Sequence, residues 1–464
     1  MVFSSIIFLF TFLPITLGLY YISPKKLKNL VLLLMSLFFY AFGEPIYIFL
    51  MLFTTIFDYF MGILLDKYSN DSKKAKWILI FTISINILIL GFFKYYGFLI
   101  DIINTVFSLD IIAINLPLPI GISFYTFQTL SYIIDVYLKK VGVQKNIISF
   151  SLYVTMFPQL VAGPIVRYKD VNDELSDRKE SLSLFGEGSQ RFILGLGKKV
   201  LLANNIGFLW TTISSTSLSE ISVLTAWIGI IAFTFQIYFD FSAYSDMAIG
   251  LGKMFGFNFI ENFNYPYTSK SITEFWRRWH ISLGSWFREY IYIPLGGNRC
   301  SLLKQSRNLF IVWLITGLWH GASFNFIVWG LYYGLILFIE KMFLKDILDK
   351  LPSFLSHFYT MFFIIIGWVF FASPDMTYAL DYIKLLFSAG SLGLFDMSAF
   401  YYLSNYLIIF VVLIVLCTPL PYKFFKKLID RQNILPIIAN VLVLFFSISY
   451  LVTETYNPFL YFRF

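Results

Sequence analysis

A histidine lies in the middle of an apolar stretch that is long enough to cross a bilayer. His320 interrupts the run from Asn308 to Lys341, downstream of basic residues at Arg299, Lys304 and Arg307. Counting 1.5 Å per residue from that cluster places it roughly 18 Å into a helix, near the middle of a bilayer. An ionisable side chain at such depth is by default a functional candidate, the alternative being a histidine hydrogen-bonded between packed helices for structure alone. Residues at helical spacing from it form a mixed face typical of a cavity lining: Trp313, Thr316, Gly317, Ser323 and Phe324.

A second histidine, His280, lies in the densest motif of the chain, TEFWRRWHISLGSWFREY from Thr273 to Tyr290. A helical period separates this segment into a charged and an aromatic face, which predicts one interfacial helix with Ser271 or Thr273 as its N-cap. The charged face suits a lipid surface or an anionic donor such as a phosphopantetheine thioester, and it comprises Glu274, Arg277, Arg278, Ser285 and Arg288. The opposite, aromatic face is expected to point into the protein, and it comprises Trp276, Trp279, His280, Leu283, Trp286, Phe287 and Tyr290.

Two carboxylates also fall inside a probable span, in the segment QIYFDFSAYSDMAIG. Asp240 shares an i, i+4, i+8 stripe with Gln236 and Tyr244, which could form one polar wall of a chamber. Such residues more often tie helices together, and the same alternatives apply to Asp246.

Histidine is the side chain here that could do chemistry near neutral pH. As a general base it could take a proton from a hydroxyl that attacks an acyl thioester. The sequence has no GxxxxGK[ST] loop, no GxGxxG after a strand, no HExxH helix and no GxSxG elbow, and Cys300 and Cys417 belong to no metal-binding pattern. ATP-driven transport and zinc hydrolysis are therefore unsupported. A transporter or lipid channel in which the histidines relay protons is the competing interpretation.

The composition indicates the class of protein in which these residues lie. Apolar residues make up 58% of the chain, aromatic residues 21% and charged residues 13%, with a mean hydropathy of +0.74. These values exclude a soluble globular domain and indicate an all-α polytopic membrane protein. The apolar runs lack the period-two alternation of a transmembrane barrel. Lysines and arginines lie in short loops between apolar runs, so the net charge of +8 reports orientation and not nucleic-acid binding.

The apolar runs predict one membrane domain over residues 1–464, without a soluble domain or a removable signal peptide. A hairpin turn is expected at Gly43-Glu44-Pro45. The lysines that flank this hairpin then share one side, which the positive-inside rule makes cytoplasmic, so the N-terminus is predicted to be extracytoplasmic. Helix breakers in the middle of the chain predict broken or re-entrant helices around an internal chamber, and they comprise Pro117, Pro119, Gly121, Pro158, Gly163 and Pro164.

The motifs resemble those of the membrane-bound O-acyltransferase family, in particular its bacterial alginate O-acetyltransferase branch. The resemblance rests on residues 273–299, on LWHG from Leu318 to Gly321, and on supporting segments at residues 119–137, 157–168, 238–250 and 457–464. It implies about eleven membrane-spanning helices around a tunnel, together with re-entrant or interfacial helices. The core motifs of the family would span residues 119–340. It also implies that His320 is catalytic and that His280 assists. Further tunnel or motif candidates are Trp276, Arg277, Arg278, Trp279, Asp240, Asp246, Trp319 and Asn325.

The same resemblance implies a reaction and its partners. The donor would be acetyl-CoA or another acyl thioester, with no tightly bound cofactor and no metal. The acceptor would be an exported polysaccharide or, second, peptidoglycan, and an extracytoplasmic acetyltransferase or esterase-like protein is expected as a partner. The protein would reside in a bacterial plasma membrane, in contact with lipid. The alternative within the family is D-alanyl transfer to teichoic acid from an acylated carrier protein.

Overall fold

The computed structural model describes residues 1–114, 116–388, 392–431, 434–453 and 456–457, and these residues are predominantly helical. Two compact units are formed, one of residues 1–192 and 245–260 and the other of residues 193–244 and 261–464. The C-terminal part of the terminal motif, residues 458–464, lies outside the described residues.

The first unit confirms the predicted hairpin and the predicted helix breaks. The chain turns at Glu44-Pro45 between two long helices, and the helix that follows Gly121 begins at a left-handed φ of 77°. The helices of this unit are α1 (Leu13–Ile22, after a π-helical turn at Phe8–Phe12), α2 (Lys28–Gly43), α3 (Ile48–Lys67), α4 (Ser72–Phe107), α5 (Ile122–Tyr137), α6 (Ile147–Thr155), α7 (Phe157–Leu160), α8 (Tyr168–Ser176) and α9 (Leu182–Gly197), which continues into the second unit.

The second unit contains both histidine motifs. Its helices are α10 (Asn204–Ser214, after a π-helical segment at Lys198–Ala203), α11 (Val223–Met254, whose residues from 245 onward belong to the first unit), α12 (Ile272–Arg278), α13 (Ile281–Phe287, continued by a π-helical turn at Arg288–Tyr292), α14 (Leu302–His320), α15 (Phe324–Ile339, continued by a π-helical turn at Glu340–Leu344), α16 (Lys345–Lys350), α17 (Ser353–Ala372), α18 (Met376–Phe387), α19 (Met397–Leu416), α20 (Leu420–Asp430) and α21 (Leu435–Thr453). Short 3₁₀ turns lie at Lys25–Leu27, Leu218–Glu220 and Pro266–Thr268.

The helices have the length and composition of membrane spans. Within the described ranges, nine helical stretches are long and apolar enough to cross a bilayer, and Phe8–Ile22 is a shorter apolar helix. The 19-residue α14 is about 28 Å long at 1.5 Å per residue, but it is not one of these nine stretches. The predicted all-α polytopic membrane architecture is confirmed.

Helices α14 and α15 pack closely, and this contact fixes the helix that carries His320. A methyl group at Gly317 would overlap the carbonyl oxygen of Phe326, and one at Gly330 would overlap the carbonyl oxygen of Trp313. Only glycine allows two backbones to approach so closely, a recurrent device in membrane helix pairs. Gly317 therefore faces α15 and is not part of a cavity wall.

Candidate active site

Both histidines line one cavity of about 220 Å³ in the second unit. One wall is formed by α12, α13 and the π-helical turn after them, and the other by one face of α14. The lining residues are Trp276, Trp279, His280, Leu283, Gly284, Phe287, Arg288, Tyr292, Leu309, Val312, Trp313, Thr316 and His320. Of the five residues predicted to share a cavity face with His320, Trp313 and Thr316 line the cavity, whereas Gly317, Ser323 and Phe324 do not.

The motif helix predicted from Thr273 to Tyr290 is broken at His280, so the prediction of one continuous helix is wrong. Trp279 is extended (φ −100°, ψ 130°) and His280 is left-handed (φ 44°, ψ 54°), which separates α12 from α13. Hydrogen bonds from outside the motif hold the break. The amide of Asn264 donates to the carbonyl of Arg278 at 2.9 Å, and the amide of Ile281 donates to the carbonyl of Asn262 at 2.9 Å. Periodicity cannot reveal contacts of this kind.

Asn262 also orients the imidazole of His280. Its Oδ1 accepts from the backbone amide of Ser282 at 3.2 Å and from the Ser282 hydroxyl at 2.8 Å, and the Nδ1 of His280 lies 3.1 Å away. Because the backbone amide can only donate, this atom of Asn262 is an acceptor, so Nδ1 carries the proton and the lone pair is on Nε2. His280 is outside the candidate spans, and burial lowers its pKa to about 3, which keeps the ring neutral.

His320 occupies the last position of α14, inside an aromatic cage. Its ring lies 4.9 Å from that of Trp319, 5.0 Å from that of Trp329 and 5.2 Å from that of Phe371, and only 5% of the residue is exposed. The ring of Trp319 also lies 6.0 Å from that of His280. Trp319 therefore contacts both histidines.

The cavity has a buried end and an exposed end. Leu309 precedes His320 by three turns of α14, so the lined face is about 16 Å long. Arg288 is exposed and lines the cavity eight residues after the buried His280. Among the described residues, the Arg288 side chain has no ion-pair partner. The motif thus contributes a cation to the same cavity as its aromatic residues, and the predicted separation of the two faces does not hold at this position.

Trp276 adds a polar group to the aromatic wall. Its ring packs against those of Trp313 (4.8 Å), Tyr333 (4.9 Å) and Trp329 (5.6 Å). The indole Nε1–H is buried and has no acceptor among the residues that the structure describes. A buried donor of this kind is costly unless a ligand or water satisfies it.

A model of the membrane-bound O-acyltransferase family matches residues 139–377, which include the whole cavity. The chain belongs to this family. It is 43% identical over 402 residues to the probable alginate O-acetylase AlgI of Pseudomonas aeruginosa, covering 86% of this chain and 77% of that protein. It is 34% identical over 438 residues to the peptidoglycan O-acetyltransferase of Helicobacter pylori (86% and 82%) and 27% identical over 243 residues to the teichoic acid D-alanyltransferase of Bacillus subtilis (50% and 61%).

In this membrane-bound O-acyltransferase, several of the predicted motif residues lie outside the cavity lining. Arg277 is exposed, and Arg278 pairs with Glu274 at 2.6 Å and donates to the hydroxyl of Thr268 at 3.0 Å. Asn325 is buried and donates to the carbonyls of Phe370 and Ser373 at 3.2 and 2.9 Å, which ties the start of α15 to the end of α17. Arg278 and Asn325 therefore hold together segments next to the cavity.

The two predicted carboxylates are ion-paired. Asp240 lies 2.6 Å from the ammonium of Lys199, and both side chains are only 3% exposed. This pair ties α11 to the π-helical segment before α10, which is the structural alternative considered for Asp240. Asp246 belongs to the first unit, where it lies 2.9 Å from Arg191. His357 is half-buried, with Nδ1 3.1 Å from the carbonyl oxygen of Ser269, and it does not line the cavity.

Proposed function

We propose that this protein is a membrane O-acetyltransferase that takes acetyl groups from a cytoplasmic thioester and passes them across a bacterial plasma membrane for attachment to an exported polysaccharide. The observation that carries this proposal is the pairing of two buried histidines in one cavity, one of them held in a defined tautomer. Family membership supplies the reaction class, and the relatives named for O-acetyl transfer cover most of the chain.

His320 is the general base in this proposal. It takes the proton of an acceptor hydroxyl while that oxygen attacks the thioester carbonyl carbon, forming the new C–O bond. The C–S bond then breaks, and the leaving thiolate receives the proton from the imidazolium, so the products are an acetyl ester and a free thiol. A neutral His280 with Nδ1–H fixed by Asn262 presents Nε2 as an acceptor beside the reacting groups.

The donor enters from the exposed end of the cavity. A phosphopantetheine thioester is a long unbranched arm with phosphate at one end and the reactive carbonyl at the other. Its phosphate fits Arg288, whose guanidinium binds phosphate oxygens well, and its thioester fits the buried end beside the histidines. The Trp276 indole N–H is the donor that we assign to the carbonyl oxygen, where negative charge develops.

An exported polysaccharide such as alginate is the first choice of acceptor and peptidoglycan the second. The relatives with the higher identity are named alginate O-acetylases, and the peptidoglycan O-acetyltransferase is 34% identical. We further propose that an extracytoplasmic acetyltransferase or esterase-like protein completes the transfer and that the N-terminus is extracytoplasmic. D-alanyl transfer is the alternative outcome of the test below, since the corresponding relative matches half of the chain.

The test measures ester-linked acetyl and D-alanyl groups on extracellular polymers. Cells lacking the gene are complemented with wild type, His320→Ala, His280→Ala or His357→Ala at matched membrane levels. Wild type and His357→Ala should restore acetyl ester, whereas His320→Ala should lose about 100-fold or more of the activity, the usual contribution of a general base. Full restoration by His320→Ala would refute its role as base. Restoration of D-alanyl ester in place of acetyl ester would establish the alternative reaction.

A further inference from the structure

A buried glutamate outside the cavity holds the start of the histidine motif. Glu340 is only 2% exposed and lies at the end of α15, inside an apolar candidate span. One carboxylate oxygen accepts from the amide of Ile272 at 2.7 Å. The other accepts from the amide of Thr273 at 2.8 Å and from the Thr273 hydroxyl at 2.6 Å.

These contacts complete the first turn of α12. Glu340 satisfies the amides of its first two residues, and the Ser271 side chain accepts from the amide of Glu274 at 3.0 Å, as the predicted N-cap. A carboxylate is suited to this position because both of its oxygens accept and its charge complements the positive end of the helix. The amide of glutamine would turn an NH₂ group towards one of these donors.

Glu340 thereby links the helices that carry the two histidines. Its own helix, α15, packs against α14 through Gly317 and Gly330, and α14 ends at His320. The helix that it holds, α12, ends immediately before the break at His280. Asn262 bonds the residues at the break, which follows the C-terminus of α12, and Glu340 bonds the N-terminus of the same short helix.

We propose that Glu340 is a positioning residue that sets His280 relative to His320, acting through α12 and without touching the substrate. The inference rests on the acyl transfer proposed above. Displacing reacting groups by about 1 Å can lower a rate 100-fold, whereas donor binding at the Arg288 end of the cavity does not depend on that alignment.

The experiment compares purified wild type, Glu340→Gln and Glu340→Asp in detergent, with Asp375→Asn as a control at an exposed helix start. Asp375 is also a carboxylate at a helix start, accepting from the amide of Tyr378 at 2.8 Å, but α18 contributes no residue to the cavity lining. Acetyl transfer from acetyl-CoA gives kcat and KM, and thermal unfolding gives the folded fraction. Carbethoxylation of each histidine by diethyl pyrocarbonate, followed by mass spectrometry, reports the exposure of His280 independently of activity.

Glu340→Gln should lower kcat at least tenfold with the donor KM within twofold of wild type, and it should speed modification of His280. Glu340→Asp, which keeps the charge, should recover part of kcat. Asp375→Asn should change neither kcat nor His280 modification, and it should cost little thermal stability because asparagine caps a helix about as well as aspartate. If Glu340→Gln does not fold, kcat and His280 modification are measured for Glu340→Asp instead. Its kcat should then lie between those of wild type and His280→Ala, and its His280 should be modified faster than in wild type.

Three results would overturn the proposal: a kcat loss that follows only the folded fraction, a rise in donor KM in place of the fall in kcat, or unchanged modification of His280. Wild-type protein without acetyl transfer would refute the proposed function instead. In that case the modification rates still decide whether Glu340 positions His280.

Discussion

Replacing Asn262 by alanine tests whether the orientation of His280 matters for catalysis. Asn262 is fully buried, and its Oδ1 is the shared acceptor for His280 Nδ1, the Ser282 amide and the Ser282 hydroxyl. The substitution leaves the backbone bond from Ile281 in place. It leaves three donors without this acceptor, and because leaving a buried donor unsatisfied costs about 1–3 kcal/mol, we expect a total loss of about 3 kcal/mol in the free energy of unfolding.

The effect on catalysis should exceed the effect on the folded fraction. Without the acceptor, the His280 ring is free to rotate and to place its proton on either nitrogen. We expect Asn262→Ala to lower kcat by at least tenfold, about 1.4 kcal/mol in the activation free energy. The assay is steady-state acetyl transfer by purified protein, with active-protein concentration corrected by thermal unfolding.

Ser282→Ala is the matched control for this prediction. It removes a hydroxyl that lies 2.8 Å from Oδ1 and 3.4 Å from His280 Nδ1, but it leaves the shorter contact between Asn262 and His280. It should therefore destabilise the protein slightly and keep kcat within about twofold of wild type. Equal kcat values for Asn262→Ala and Ser282→Ala, both folded, would refute the role of tautomer and ring orientation.

Five further substitutions test other parts of the second unit. Lys199→Met should destabilise the protein by about 3–5 kcal/mol because it strands the buried Asp240, while adding Asp240→Leu should recover most of the loss in thermal unfolding. Gly317→Ala should lower the melting temperature, since its methyl group would meet α15; an unchanged value would contradict the close packing of α14. Trp276→Phe should lower kcat about 100-fold in steady-state kinetics if its N–H stabilises the oxyanion, and an unchanged kcat would remove that role. His280→Asn should be as stable as wild type but as inactive as His280→Ala, because asparagine tolerates the left-handed backbone.

The sequence was sufficient to predict the helical membrane fold because its main signals are local. Apolar length predicts spans, and Pro and Gly predict interruptions, so both the hairpin at Glu44-Pro45 and the break at Gly121 were foreseeable. Helical spacing from His320 likewise predicted two further residues of one cavity wall, Trp313 and Thr316. Each of these inferences needs only neighbours along the chain.

The residues that hold the site were not predictable in the same way. Asn262 lies in the unremarkable segment Glu261 to Tyr265, Glu340 ends an apolar helix, and Lys199 is one of two adjacent lysines. Each acquires its importance from a contact with a residue at least 18 positions away along the chain. A buried charge in an apolar run was the one available signal for Glu340 and Lys199, and it does not name the partner.

The left-handed backbone conformation of His280 does not explain why this residue is a histidine. A non-glycine residue in that conformation costs about 1–2 kcal/mol, so the surrounding contacts must hold it there. Glycine or asparagine would form the same break at lower cost, so the backbone turn does not by itself require histidine. The imidazole is also buried, neutral and bonded at Nδ1, which leaves Nε2 as its chemically useful atom. The break between α12 and α13 therefore places an imidazole of fixed tautomer in the cavity that His280 shares with His320.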